Sequence, residues 1–120
     1  MSVKSFRDLR TWREGHLLAV QLYRVTANFP DHERYGLSSQ LRRAAVSVPS
    51  NIAEGFGRGS TKDFGRFLYI ARGSVFEILA QLEIAKDLKY LPQEQYNILT
   101  QRYEGLGAGL NSHIKVLRSK

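Results

Sequence analysis

The side chains in this sequence that could bind a metal are few and isolated. The three histidines are His16, His32 and His113. No two of them lie within one helical turn, which is the spacing that a helical metal site needs. There are no cysteines, so thiolate sites and disulfides are excluded. We therefore expect no metal and no other cofactor.

A hydrolytic site would need a nucleophile, a base and an acid brought together by the fold. The candidates are a serine (Ser47 or Ser74), His16 and Glu54. Neither serine lies in a nucleophile-elbow pattern. The glycine-rich stretch 55–59 lacks the Gly-Lys-Ser/Thr of a phosphate-binding loop. These observations predict that the chain is not an enzyme.

The basic residues indicate a different chemistry, the binding of polyanions. The chain has 18 Lys and Arg against 11 Asp and Glu, a net charge of +7 and a pI near 10. Twelve of the 18 are Arg, whose planar fork matches phosphate oxygens. Few aromatic residues are interleaved with them, so base stacking on a single strand is not indicated. The candidate nucleic-acid-binding residues are Arg7, Arg10, Arg13, Arg42, Arg43, Arg58, Lys62, Arg66, Arg72, Lys115 and Arg118.

The elements that must position these residues are helices. Pro30, the glycines of 55–59 and Pro92 divide the 120 residues into four segments. Their apolar residues recur every three or four positions. We predict an all-α, up-down-up-down four-helix bundle in one domain, 1–120, with helices at about 7–28, 37–56, 61–88 and 93–118. Pro49 should kink the second helix.

The apolar stripes predict which faces are buried. In the first segment the stripe is Leu9, Trp12, His16, Ala19, Tyr23 and Thr26, with a second stripe of Leu18, Leu22, Val25 and Phe29 beside it. The third segment begins with a capping pattern, Ser60 to Asp63, and its stripe is Phe64, Leu68, Ala71, Val75, Ile78, Leu82 and Ala85. It also has more apolar residues than this one core face needs. We interpret the surplus on the first and third segments as a subunit interface. The glycines at 105, 107 and 109 favour close helix approach in the fourth segment.

Several polar residues fall at or near predicted core positions. They are His16, Gln40, Asn51, Glu54 and Ser74. Buried polar groups need hydrogen-bond partners, and such groups often fix the register of a bundle. We interpret these five as a structural polar core; contact with a ligand is the functional alternative.

The second segment carries a recognisable motif. Residues 37–55, Leu-Ser-Ser-Gln-Leu-Arg-Arg-Ala-Ala-Val-Ser-Val-Pro-Ser-Asn-Ile-Ala-Glu-Gly, resemble the most distinctive stretch of the proteins encoded by intervening sequences in bacterial 23S rRNA genes. Trp12, Phe29-Pro30 and residues 67–74 resemble neighbouring parts of that family. The resemblance implies a left-handed up-down bundle that assembles as a homopentamer. Relatives include the accessory variability proteins of diversity-generating retroelements, which bind nucleic acid and a reverse transcriptase. The family resemblance implies no catalytic residues.

Two functional hypotheses follow. The first is a basic, oligomeric protein that binds RNA or DNA through phosphates, as an accessory factor to a reverse transcriptase or another nucleic-acid-handling enzyme. The alternative is a scaffold that docks an acidic protein partner. The N-terminus has no apolar signal region, and no apolar run is long enough for a bilayer. We therefore expect a cytoplasmic protein without a membrane partner.

Overall fold

The computed structural model describes residues 3–120, which fold into four α-helices without any strand. The helices are α1 (Arg10–Thr26), α2 (Leu37–Gly57), α3 (Thr61–Asp87) and α4 (Gln93–Arg118). The all-helical prediction is therefore confirmed. Two short 3-10 turns, Phe6–Asp8 and Asp31–Glu33, precede α1 and α2.

The first helix is shorter than the predicted 7–28. Ser5 and Asp8 form a capping box that closes the 3-10 turn on itself. Leu9 is then extended, with φ −78° and ψ 126°, so the α-helix begins only at Arg10. By contrast, the hydroxyl of Ser60 accepts a hydrogen bond from the Asp63 N–H at 3.2 Å, which starts α3 where the capping pattern indicates.

Consecutive helices run antiparallel, as pairs of contacts across each interface demonstrate. Between α2 and α3, Ser47 contacts Ser74 while Gln40 contacts Gln81. Between α3 and α4, Gly107 lies near Val75 while Arg72 contacts Asn111. Between α1 and α2, Gly15 lies near Val48 while Thr26 contacts Arg42. Helix α1 packs on α2 and also contacts α4, whereas the described parts of α1 and α3, and of α2 and α4, do not meet. The result is a closed ring of four helices measuring 45 × 23 × 21 Å.

The core follows the predicted stripes in three helices and departs from them in α1. The predicted apolar positions of α2, α3 and α4 are largely buried around Tyr103, which is fully enclosed. In α1 the core is formed by Leu18, Leu22 and Val25, the stripe that was predicted to lie beside it. Of the other stripe, Ala19 and Thr26 are also buried, Trp12 is half-buried, and His16 and Tyr23 are exposed. The predicted core face of α1 was wrong at His16 and Tyr23, because the buried face includes the second stripe and only one edge of the first.

Of the five polar residues assigned to the core, Asn51 and Ser74 are half-buried and are linked through the hydroxyl of Ser47. The hydroxyls of Ser47 and Ser74 lie 2.8 Å apart across the α2–α3 interface. The Asn51 amide donates to that Ser47 hydroxyl at 3.0 Å and to the Ser47 carbonyl at 2.8 Å. This network lies beside Pro49, which is buried within the uninterrupted α2.

The other three are not in the core of the chain. His16, Gln40 and Glu54 are exposed, so the prediction of a buried position is wrong for each. His16 stacks on the Trp12 ring with centroids 4.9 Å apart. Glu54 points into solvent and forms an ion pair with Arg58. Gln40 nevertheless accepts a hydrogen bond from the Gln81 amide across the α2–α3 interface at 3.4 Å.

Gly55 of α2 lies in close contact with α3. A Cβ added there would lie 2.7 Å from the Phe67 Cβ and 3.1 Å from the Phe64 ring. In α4, an added Cβ would reach ordinary contact at Gly107 and a tight 3.3 Å contact with Thr11 of α1 at Gly109, but nothing at Gly105. Close helix approach therefore accounts for one of the three α4 glycines, Gly109.

No helix within residues 3–120 is both long and apolar enough to cross a bilayer.

Candidate nucleic-acid interface

The antiparallel order places the start of α1, the end of α2, the start of α3 and the end of α4 at one end of the bundle. We call residues 3–18, 47–74 and 106–120 the basic end, and residues 19–46 and 75–105 the balanced end. The basic end holds 11 of the 18 basic residues and four of the 11 acidic ones. The balanced end holds seven of each. The whole net charge of +7 therefore belongs to one end of the molecule.

Nine of the eleven candidate residues lie at this basic end. They are Arg7, Arg10, Arg13, Arg58, Lys62, Arg66, Arg72, Lys115 and Arg118. The remaining two, Arg42 and Arg43, lie at the balanced end. The spacing along the sequence groups Arg58, Lys62 and Arg66. It did not separate Arg42 and Arg43 from the other candidates, because the pairing of distant segments appears only in the folded chain.

Three of the candidate guanidinium groups are engaged in holding the fold. Arg42 donates to the Thr26 hydroxyl at 2.7 Å and to the Tyr23 carbonyl at 3.1 Å, which ties α2 to the end of α1. Arg13 donates to the Asp8 carbonyl at 2.9 Å. Arg72 donates to the Asn111 side chain at 2.8 Å, which joins α3 to α4. These three are less available to a ligand than the rest.

A groove of about 450 Å³ runs between the start of α3 and the end of α4. Its apolar lining comes from Gly65, Tyr69, Ile114 and Leu117. Its basic lining comes from Lys62, Arg66 and Arg118, which are all exposed. The groove is thus an apolar floor with positive charges around it.

Aromatic rings lie beneath the arginines of the basic end. The guanidinium carbons of Arg58 and Arg66 lie 5.0 and 5.2 Å from the centre of the Phe67 ring. Those of Arg72 and Arg118 lie 4.8 and 5.3 Å from the centre of Tyr69. Such contacts favour the cation and hold its plane in place.

The expectation that few aromatics are interleaved with the basic residues was therefore wrong at this end. Tyr69 and Arg72 are three residues apart on α3, a spacing that puts them on one helix face and could have revealed the pair. The contact of Arg118 with the same ring joins residues 49 positions apart, and no local pattern indicates it.

Acidic residues neutralise only part of this end. Arg58 pairs with Glu54 at 2.8 Å, and Arg66 pairs with Asp63 at 3.2 Å. Both pairs are exposed, so each contributes little and exchanges readily for another anion. Among residues 3–120, no carboxylate lies within ion-pair distance of Lys62, Lys115 or Arg118.

One histidine of the basic end is partly enclosed. His113 lies edge-on to the Phe64 ring, with centroids 4.9 Å apart. Burial lowers the pKa of His113 below its usual range, and the positive charge of Lys120 lowers this pKa further. The lowered pKa favours the neutral imidazole, so His113 contributes less positive charge to this end than an exposed histidine would.

The residues that a hydrolytic site would need have separate partners. Ser74 bonds to Ser47, Glu54 pairs with Arg58, and His16 stacks on Trp12. No hydrogen bond joins any two of these three side chains within the described chain. Nor do the histidines and carboxylates of residues 3–120 form a group that could hold a metal ion.

Comparison with known proteins places the chain in a family. Residues 7–112 match the model of the 23S rRNA-intervening sequence protein family. A crystal structure from Bacteroides thetaiotaomicron, of a protein with unknown function from the S23 ribosomal protein family, is similar with a TM-score of 0.79 and 26% identity. The match covers 88% of this chain and 98% of that one. No curated protein matches significantly. With the four-helix bundle and this match over most of its length, the chain belongs to the 23S rRNA-intervening sequence protein family.

Proposed function

We propose that this protein binds nucleic acid through phosphate contacts made by the basic end of the bundle. The observation that carries the proposal is the segregation of charge: a net +7 at one end and none at the other. If the excess positive charge served only solubility, we would expect it to be spread over both ends of the bundle. A polyanion docking at that end would meet Lys62, Lys115 and Arg118 without first displacing a carboxylate from them.

The protein would act as an oligomer, by our proposal a homopentamer of left-handed bundles with α2 kinked at Pro49. Exposed apolar side chains support self-association: Leu17 and Tyr23 on α1, and Ile70, Phe76 and Ile84 on α3, are each more than 40% exposed. In a ring whose axis runs along the bundles, every copy would present its basic end on the same face. The phosphate contacts of the copies would then add together.

This role is non-enzymatic and cytoplasmic in our proposal. Binding through phosphates carries little base specificity, so the protein would serve as an accessory factor. Its partner would be a reverse transcriptase or another nucleic-acid-handling enzyme.

The test is binding of the purified protein to RNA and DNA, duplex and single-stranded, over a salt series, with its mass in solution measured in parallel. We expect an oligomer whose affinity falls steeply with salt. If about five phosphates are contacted, affinity should fall by a factor of several hundred between 50 and 200 mM salt. No binding even at low salt would refute the proposal.

The second candidate is a scaffold that docks an acidic protein. A mostly apolar groove of about 510 Å³ between α1 and α2, lined by Trp12, Tyr23 and Val46 among others, favours protein contact over nucleic acid. Capture of an acidic protein by a variant that no longer binds nucleic acid would support it.

A further inference from the structure

The α3–α4 groove has a composition that a phosphate-only site does not need. A duplex backbone presents phosphates on a convex surface, and a flat patch of Lys and Arg is enough to bind it. This groove instead has Tyr69, Ile114 and Leu117 along its floor, below the cationic groups of Lys62 and Arg66. Apolar surface beside positive charge suits a ligand with a flat apolar part and an anionic part.

An unpaired nucleotide has this combination. Its base has an apolar face for Tyr69, and its phosphates have the charge that Lys62 and Arg118 attract. The volume of about 450 Å³ lies within the range of small-ligand sites, roughly 300–1,000 Å³. In a duplex the bases are stacked and paired, so they cannot enter such a groove without being extruded.

We propose that the groove between α3 and α4 binds single-stranded nucleic acid, with an unpaired base against Tyr69 and its phosphates on Lys62, Arg66 and Arg118. This inference rests on the proposed function and narrows it to unpaired strands. The guanidinium of Arg118 lies over the Tyr69 ring, 5.3 Å from its centre, so a base that packs on Tyr69 would displace this guanidinium toward the phosphate of the same nucleotide.

Gly65 allows the groove to be filled without changing any charge. It lies in the groove, and a Cβ added there would meet no other atom within 4 Å. Gly65→Leu should therefore fold, because leucine also favours a helix more than glycine does. Gly105→Leu is the matched control: Gly105 is in helix α4, is exposed and has equally open space, but it lines neither the groove nor the apolar surface proposed for self-association.

The experiment measures binding of a labelled oligouridylate of roughly 16 nucleotides and of an RNA duplex of equal length, at one salt concentration. For Gly65→Leu we expect the dissociation constant for the single strand to rise about 5- to 100-fold, with less than about a 2-fold change for the duplex. Tyr69→Leu should show the same selective loss. Gly105→Leu should bind both as the unmodified protein does, with an unchanged mass in solution.

The outcomes separate this inference from the proposed function. If the unmodified protein binds neither nucleic acid, both fail. If it binds nucleic acid but Gly65→Leu and Tyr69→Leu keep full single-strand affinity, only the groove assignment fails. Displacement of the oligouridylate by polyglutamate as effectively as by unlabelled polyuridylate would also overturn it, because the groove would then recognise charge alone and an acidic protein would fit equally well.

Discussion

Replacing Gly55 by alanine should destabilise the protein, although alanine is the better helix former. The added Cβ would lie 2.7 Å from the Phe67 Cβ and 3.3 Å from the Phe64 carbonyl oxygen. Carbon atoms pack at about 3.5–4.0 Å, so α2 and α3 would have to separate by roughly 1 Å at this point. Overpacking of this kind costs about 1–3 kcal/mol. The higher helix propensity of alanine offsets about 0.5–1 kcal/mol of this destabilisation. We expect a net loss of about 1–2 kcal/mol in the free energy of unfolding.

The assay is urea unfolding followed by far-UV circular dichroism, at one fixed protein concentration because subunit association contributes to stability. Gly105→Ala is the matched control, since an added Cβ at Gly105 meets nothing within 4 Å. It should raise the free energy of unfolding by about 0.5–1 kcal/mol. A Gly55→Ala protein as stable as the unmodified one would refute the close packing of α2 on α3.

Three further substitutions test other parts of the structure by the same unfolding assay. Ser74→Ala should lower the free energy of unfolding by about 1 kcal/mol, because it leaves Ser47 without its partner across α2 and α3. The control Ser112→Ala, at an exposed position, should leave the free energy of unfolding unchanged. Tyr103→Phe should leave stability unchanged or raise it by about 1 kcal/mol, because the enclosed Tyr103 hydroxyl has no partner among the protein atoms; a clear loss would show that it does have one. The folded-state pKa of His113 lies below its usual 6.5, so the unfolded chain takes up the proton first and stability should fall as the pH drops through about 6.5. His113→Gln should reduce this dependence, and an unchanged pH profile would contradict the burial of His113.

The sequence was sufficient for the fold because its helical signals agree with each other. The stripe on α3 that includes Leu68, Val75 and Leu82 is buried as predicted, and Ser60 caps the helix that it was expected to begin. Periodicity and capping act through neighbouring residues, so a sequence reveals them directly. It failed at His16 and Tyr23 of α1, because the face of α1 that is buried depends on how α2 and α4 pack against it.

The candidate site was predicted only as a set of residue types. The arginines were identified and Arg58 is close to Arg66 in the sequence, yet nothing in the spacing showed that Arg118 joins them while Arg42 and Arg43 lie at the other end. That arrangement depends on which helix ends are neighbours, a property of the antiparallel fold. The Tyr69 contact with Arg118 is of the same kind. The sequence also overestimated the burial of Glu54, because a position near an apolar stripe can still face solvent.

The most direct test of the account compares two triple variants that remove the same charge from opposite ends. Lys62→Gln, Arg66→Gln and Arg118→Gln together change the basic end. Arg24→Gln, Arg34→Gln and Arg43→Gln, all at exposed positions, change the balanced end. If the basic end contacts phosphates, the first triple should lower the slope of log affinity against log salt by about 2–3, and the second should leave it unchanged. Equal effects of the two triples would contradict the account, because binding would then follow net charge and not its position on the bundle.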